Sequence, residues 1–295
     1  MATTAPSMTA ADQKARYEEQ GYLTFPDMLD RSEVAVLRAA LDELLEEAAR
    51  IPDDGSAHAG INALTTTEKF SFTRSDTGER HVRRIFNPIA HHPAFMDLVH
   101  NPKMLDAVGN LIGPNIALHH TKLNLKPPAS HHARFEWHQD YPFFPHSNYD
   151  LIAVAVHIDE STEENGCLRV IPGIHKLGPL EHMFAADGAF SSQLRDQSVI
   201  PDASQWVSVT SPAGGVEMHH CNMLHSSTAN RGVKPRSAVI IQYRAADNVQ
   251  LSPYNAAQPG YGMLVRGVAP YTARMLDGSI VQLPTPIKDP TQRDG

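Results

Sequence analysis

The stretch NIALHHTKLNLKPP, residues 115–128, is where the chain changes its period. Downstream of it come DLIAVAVHID (150–159), GCLRVIPG (166–173), QWVSVTSPAGG (205–215), VEMHHCNMLHSS (216–227) and RSAVIIQYRAAD (236–247). Each is a β-like run bounded by Pro, Gly, Asn or Asp. Upstream the pattern is helical. Residues 9–20 read as a short polar helix, and GYLTFPDML (21–29) as an extended entry. Asp30 and Glu33 have the spacing of a capping box. Val34, Leu37, Leu41, Leu44 and Ala48 then recur at three and four, which predicts an amphipathic helix to about residue 50. Residues 51–80 look like loop with short strands, and AFMDLVHNPKMLDAVGNLIG (94–113) like two helices broken at Asn101-Pro102. Helices followed by many short strands predict a mainly β fold, a sandwich or barrel with helices packed outside. Residues 174–205 carry few strand signals and suit a lid; the tail from about 268 is Pro-rich.

Composition narrows the function. The 295 residues are 41% hydrophobic, ample for a large core. Twenty-five Lys and Arg against 33 Asp and Glu give a net charge of −8, which argues against a nucleic-acid or anionic-membrane partner. Runs such as LIAVAV (151–156) are strand-sized rather than membrane-spanning. The N-terminus has neither a basic nor an apolar leader segment, and two cysteines make no disulfide framework. The expectation is a cytoplasmic protein with reduced thiols. Histidine is the outlier: 17 residues, several of them paired at 91–92, 119–120, 131–132 and 219–220.

The chemistry concentrates in FEWHQDYPFF (135–144), where His138 and Asp140 sit among five aromatics. Alternate residues of a strand share a face, so an imidazole and a carboxylate are expected to point together. That is two-thirds of a 2-His-1-carboxylate facial triad, the donor set of non-haem Fe(II) oxygenases. The third ligand has three candidates, His219, His220 and His225. If 216–228 and 236–244 form a hairpin about the Asn230–Pro235 turn, His225 faces Arg236, with Ser227 on the same side. An arginine beside a metal wants an anion between them, and a dicarboxylate bridges the two. This spacing favours His225, with Arg244 the alternative arginine by parity. Tyr141, Phe143 and Phe144, with Gln242 on the last strand, are candidate substrate contacts. Phe135, Trp137, Trp206 and Cys221 read as core, and His175 as structural.

From residue 113 to 243 the chain resembles the phytanoyl-CoA dioxygenase-like branch of Fe(II)/2-oxoglutarate oxygenases. GPNIALHHTKLNLKPP, WHQDYPFFPHSNYDLIAVAVHIDESTEENGCLRVIPGIHK and LHSSTANRGVKPRSAVIIQY carry the resemblance. It implies a double-stranded β-helix (jelly-roll, cupin-like) core over 113–267 in one domain, with helical support over 1–112 and the tail from 268. It also implies iron on His138, Asp140 and His225, with the distal carboxylate of 2-oxoglutarate on Arg236 and Ser227. Further contacts to 2-oxoglutarate are implied at His120, Lys122 and Asn124, and at Arg83 or Arg84. Asn230 matches a family position and reads as a turn former. A family tryptophan near the cosubstrate is replaced here by Val156 or His157.

The resemblance implies a dioxygenase that uses Fe(II), 2-oxoglutarate and O2 to hydroxylate a C–H bond of a small molecule. An acidic chain without a basic patch favours a free molecule, a natural-product or amino-acid-like intermediate, over an acyl-CoA. Asp140 opposes halogenation, since it fills the position that chloride would need. Desaturation, cyclisation or epimerisation are open with the same ligands. Two other classes remain: a Zn-dependent hydrolase, which leaves Arg236 and Ser227 without a use, and a non-catalytic ligand-binding barrel. Dependence of turnover on oxygen and 2-oxoglutarate separates them. Oligomeric state is not legible.

Overall fold

The computed structural model describes residues 8–53, 65–75, 77–128, 134–184, 190–252 and 258–284. The His131–His132 pair and both chain ends, including the end of the Pro-rich tail, lie outside the described residues. Four helices precede the main strands: α1 (Ala10–Gln20), α2 (Arg31–Ala49), α3 (Pro93–Val99) and α4 (Pro102–Ile112). Asp30 caps α2, its carboxylate accepting from the amides of Ser32 and Glu33, while Glu33 returns the bond to the Asp30 amide. Thr9 and Asp12 make the same box on α1, a signal the sequence reading passed over. Asn101 caps α4, and Pro102 sits at its first turn, where the missing N–H costs nothing.

Among the described residues the strands are β1 (Tyr22–Phe25), β2 (Thr65–Thr66), β3 (Phe70–Arg74), β4 (Arg80–Phe86), β5 (Ile116–Lys126), β6 (Phe135–His138), β7 (Leu151–His157), β8 (Leu168–Val170), β9 (His182–Phe184), β10 (Phe190–Leu194), β11 (Val207–Val209), β12 (Val216–His220), β13 (His225–Ser227), β14 (Arg236–Ala245), β15 (Leu264–Arg266), β16 (Thr272–Arg274) and β17 (Ile280–Gln282). A large sheet runs β1-β12-β7-β14-β5-β4-β3-β2, with β15 also on β5. A small sheet runs β11-β8-β13-β6. From β5 to β8 and from β11 to β14 consecutive strands alternate between the two sheets, as in a jelly roll.

Period two decides what each face of the large sheet does. One set of residues, Leu123, Leu125, Ile152, Val154, Val156, Met218, Val239, Ile241 and Tyr243, packs against Leu37, Leu41, Phe95, Val108 and Leu111 of the helices. The other face is mostly polar or small, with Ile240 and Phe86 the large apolar residues among those named below. Cross-strand register lays it out in rows: Arg236 beside Lys126; then His157, Ala238, Asn124 and Arg84; then Glu217, Ala155, Ile240, Lys122 and Phe86; then His219, Ala153, Gln242 and His120. Three alanines in the middle of these rows leave room that larger side chains would fill.

The structure corrects two expectations. The hairpin of 216–228 with 236–244 does not form: β14 pairs with β5 and β7, while β13 pairs with β6 and β8 in the other sheet. The connection instead crosses between sheets. Asn230 holds that crossing, its amide donating to the carbonyls of Lys126 and Lys234 while its oxygen accepts from the Gly232 amide. Residues 174–205, read as a lid, include the β9–β10 hairpin and three short 3-10 turns at 174–177, 197–199 and 203–205. Gln139 ties this segment down: its amide group donates to the Gly178 and Asn222 carbonyls and accepts from Leu180 N–H. In the described part of the tail, β16 and β17 form a hairpin, held by Arg274 pairing with Asp150 and Asp247.

Candidate metal centre

His138 and His225 are direct cross-strand partners on β6 and β13, with ring centroids 4.2 Å apart. Asp140 joins them by a turn rather than by strand parity. Strand β6 ends at His138, and Asp140 has helical dihedrals, its N–H and that of Tyr141 both donating to the Cys221 carbonyl. Ligand atoms of His138, Asp140 and His225 all lie within 4.8 Å of one another.

The donor set fits a divalent metal. His138 Nδ1 is 2.7 Å from the Glu136 carbonyl and His225 Nδ1 is 2.9 Å from that of Met223. Donation to those carbonyls puts the proton on Nδ1 and turns the Nε2 lone pair inward, the outer-shell support that histidine ligands commonly have. Burial draws His138 down to about 4 and His225 well below its ordinary value, so both are neutral at pH 7. Burial alone would raise Asp140, but its neighbours His219, His225 and Lys122 hold it well below the usual carboxylate range. Gln242 donates to Asp140 Oδ2 at 2.6 Å, leaving Oδ1 directed toward His225 Nε2, 3.9 Å away. Gln242 therefore orients Asp140, while its own Oε1 is buried without a partner among the described residues.

His219, an alternative third ligand in the sequence, does something else. Its Nδ1 bonds Glu217 at 3.1 Å and its Nε2 stands 3.6 Å from Asp140 Oδ2. Burial opposes its charge, but Glu217 and Asp140 outweigh this and push it up to about 10. A protonated His219 is a cation, not a ligand. His220 points away from the ligands, its ring against Tyr17, Tyr149 and His175.

Arg236 is buried on the inner face of β14, and among the described residues it makes no hydrogen bond or ion pair; its Nε is buried and unpartnered. Ser227 belongs to β13 and accepts from Lys126 Nζ at 2.7 Å, so its own proton is free to be donated. The two come together across the sheets through the register of Arg236 with Lys126, not through a hairpin. Lys126 was missed by the sequence reading. Its alternation with Lys122 and Asn124 was the available signal. Of the pair Val156 and His157, Val156 packs outward and His157 faces inward, both ring nitrogens buried without partners. Arg84, not Arg83, stands on the inner face, with Nε 3.1 Å from Asn124 Oδ1; Arg83 bonds the Arg134 carbonyl. His120 faces inward but its Nδ1 is engaged by His119 at 2.6 Å. Arg244 is the more engaged arginine: its Nη1 donates to the carbonyls of Ala245, Ala246 and Asn248, while its Nε is buried without a partner among the described residues.

The aromatics divide. Tyr141 is buried with its hydroxyl on the His146 carbonyl, and Phe144 is buried against His119 and His120, so both are core. Phe143, half-buried, stands edge-on to His138, and the Phe135 ring lies on the same imidazole with centroids 6.5 Å apart. Trp137 and Trp206 pack edge to face behind the small sheet, under the Arg169 guanidinium. Cys221 is buried in the Tyr141–Phe144 cluster, and His175 is buried with Nε2 on the Glu18 carbonyl.

The family model for phytanoyl-CoA dioxygenase (PhyH) matches residues 17–238. The chain belongs to the phytanoyl-CoA dioxygenase family. A probable alpha-ketoglutarate-dependent hypophosphite dioxygenase of Stutzerimonas stutzeri is 31% identical, over 80% of this chain and 79% of that one. An L-proline trans-4-hydroxylase of Streptomyces griseoviridis is 26% identical, over 86% and 92%. In three dimensions the chain is similar to the epimerase SnoN, solved with Fe3+, alpha-ketoglutarate and nogalamycin RO: TM-score 0.64, 22% identity, 85% of this chain and 90% of that one. The phytanoyl-CoA dioxygenase family member described here is an iron- and 2-oxoglutarate-dependent dioxygenase with a jelly-roll core. No helix among the described residues is long and apolar enough to cross a membrane.

Proposed function

We propose that His138, Asp140 and His225 hold iron(II), that Arg236 and Ser227 hold the distal carboxylate of 2-oxoglutarate, and that the enzyme hydroxylates a C–H bond of a free small molecule. Iron(II) with 2-oxoglutarate and O2 supplies the oxidising power, with succinate and CO2 as by-products. The chain supplies geometry and a dry wall. Gln242 and the two carbonyl-anchored imidazoles fix the donor atoms before any ligand arrives. Arg236 offers a planar fork that suits a carboxylate, and Ser227 adds a hydroxyl whose oxygen is already occupied by Lys126. Phe143, edge-on to His138, adds apolar surface beside the site. The relatives' names, a hypophosphite dioxygenase and an L-proline hydroxylase, support a small-molecule substrate.

The observation that carries this reading is the buried Arg236 guanidinium, unpaired among the described residues, in the barrel that holds the three ligands. A zinc hydrolase has no use for it. Replacing Arg236 with Ala removes a charge-assisted bidentate contact worth about 2–4 kcal/mol, so the 2-oxoglutarate requirement for succinate release should rise roughly 30- to 1000-fold. Iron content should stay near wild type. An unchanged apparent KM for 2-oxoglutarate sinks the assignment. Mass spectrometry of the product, once a substrate is found, should show the gain of one oxygen; a loss of two hydrogens instead moves the outcome to desaturation or ring closure.

A further inference from the structure

The inner face of the large sheet carries more positive charge than the proposed cofactor and cosubstrate use. Besides Arg244, and His219 paired with Glu217, four lysines and arginines stand there: Arg84, Lys122, Lys126 and Arg236. Three are engaged. Arg236 has the role above. Lys126 donates to Ser227 Oγ and to the carbonyls of Gly166 and Thr228. Arg84 bonds Asn124 and lies over the rings of Phe86 and Phe135.

Lys122 is different. Among the described residues its ammonium makes no hydrogen bond and no ion pair, although it is only partly exposed. Its cross-strand neighbours are Ile240 and Phe86, neither of which accepts a hydrogen bond from its side chain. Asp140 lies within its electrostatic reach on one side and Arg84 on the other. Burial weakens its charge, drawing it down to about 8. The nearby acids do not supply a dedicated partner. Asp140 is committed to the metal and Gln242, and Glu217 to His219. With the cosubstrate's two charges set against iron(II) and Arg236 against Asp140, Lys122 differs from Lys126 and Arg84 in having no hydrogen-bond acceptor of its own among the described residues. Lys122 is partly buried on the face whose middle positions are Ala153, Ala155 and Ala238, where an ammonium is met either by water or by an acceptor that a bound molecule brings.

We propose that Lys122 anchors an oxyanion of the substrate, a carboxylate or a phosphonate, and so sets which C–H bond lies beside the metal. This rests on the iron and 2-oxoglutarate reading above. It moves Lys122, implied by the family resemblance as a cosubstrate contact, to the substrate.

The test uses the full chain, loaded anaerobically with Fe(II) and 2-oxoglutarate, and reads the visible charge-transfer band of the chelate together with thermal stability. The probes are short-chain carboxylates, the matching alkylphosphonates and the neutral carboxamides of the same lengths. One anion series should perturb the band and raise the melting temperature, and the carboxamides should do neither; which series works identifies the oxyanion. Lys122→Met should weaken the anion effect roughly 10- to 100-fold, the loss of a charge-assisted contact, while the 2-oxoglutarate dependence of the band stays as in wild type. Lys122→Arg should retain the anion effect, and Lys122→Gln replaces the Met variant if that one fails to fold. Carboxamides that work as well as anions overturn the proposal, as does a wild-type band that neither anion series perturbs. A Lys122→Met variant that loosens 2-oxoglutarate while keeping the anion effect returns the lysine to the cosubstrate. Failure of the wild-type protein to form the chelate band at all is a separate result, and it removes the cofactor reading beneath the proposal.

Discussion

A carboxylate at a metal site has two oxygens, and the fate of the second decides how well the first is aimed. In this chain Gln242 takes Oδ2 of Asp140 from across the barrel, and the side chain is fully buried where it does so. Gln242→Leu removes that donor with little change of volume and leaves Oδ2 only the longer contact to His219 Nε2, 3.6 Å away. Outer-shell changes of this kind cost about 10- to 100-fold in metal affinity. Anaerobic Fe(II) titration of the variant should therefore give a dissociation constant raised by roughly that factor, with circular dichroism unchanged. A dissociation constant equal to wild type would mean that His138, His225 and the turn at 139–141 fix Asp140 without help. The turn is well made for the purpose: Gln139 is anchored to three backbone groups and the Asp140 and Tyr141 amides share the Cys221 carbonyl.

At the scale of elements, the connection from β13 to β14 joins the two halves of the site. It leaves the small sheet after Ser227 and enters the large one at Arg236. Asn230 satisfies two carbonyls and one amide within it, one of those carbonyls belonging to Lys126. Asn230→Ala leaves these buried groups without partners, at about 1–3 kcal/mol for each one that water does not reach. The expected result is a melting temperature lower by several degrees and a raised 2-oxoglutarate requirement, since Ser227 and Arg236 flank the crossing. A variant that melts with wild type would show that the sheets alone set the connection. Asn230 also marks how far the sequence could be read. The residues of the site were legible because H-x-D, a later His and an Arg eleven positions on are local spacings. The strands were legible because apolar residues recur at period two. Pairing was not. RSAVIIQYRAAD and VEMHHCNMLHSS looked like neighbours across a turn, but a turn-rich segment has the same composition whether it closes a hairpin or crosses between sheets. The inward lysines of β5 were equally visible as letters, and only register shows that Lys126 meets Ser227 while Lys122 meets Ile240 and Phe86.

For the whole molecule, the cost of this fold is a set of buried, uncharged imidazoles, some in the site and some packed elsewhere. Burial lowers His119 and His157 to about 3 and His138 and His146 to about 4; His220 falls to about 3, and His120 and His225 lie well below the ordinary value. In the unfolded chain each titrates near 6.5. Between that value and the folded one the unfolded state binds more protons, so stability rises with pH there and is lost as pH falls from about 6.5 toward 4. His119, His138, His146, His157 and His220 each withdraw about 2 kcal/mol by pH 5, and His120 and His225 act in the same direction. His219 has the opposite sign: raised to about 10, it stabilises below the unfolded value and that contribution fades as pH climbs through 10. One group cannot offset seven, and folded domains hold only about 5–15 kcal/mol in all. The metal-free protein should therefore unfold on acidification between about pH 6.5 and 4.5, well above the range where surface carboxylates protonate. Iron(II) binds only the neutral imidazoles of His138 and His225, so anaerobic loading at a fixed metal concentration should move the midpoint to lower pH. Urea melts at pH steps from 7.5 to 4.5, with and without Fe(II), read the slope directly. A stability that stays flat over that interval would mean that these imidazoles are solvated or charged in the folded state, and it would remove the neutral, inward-facing histidines on which the metal centre depends.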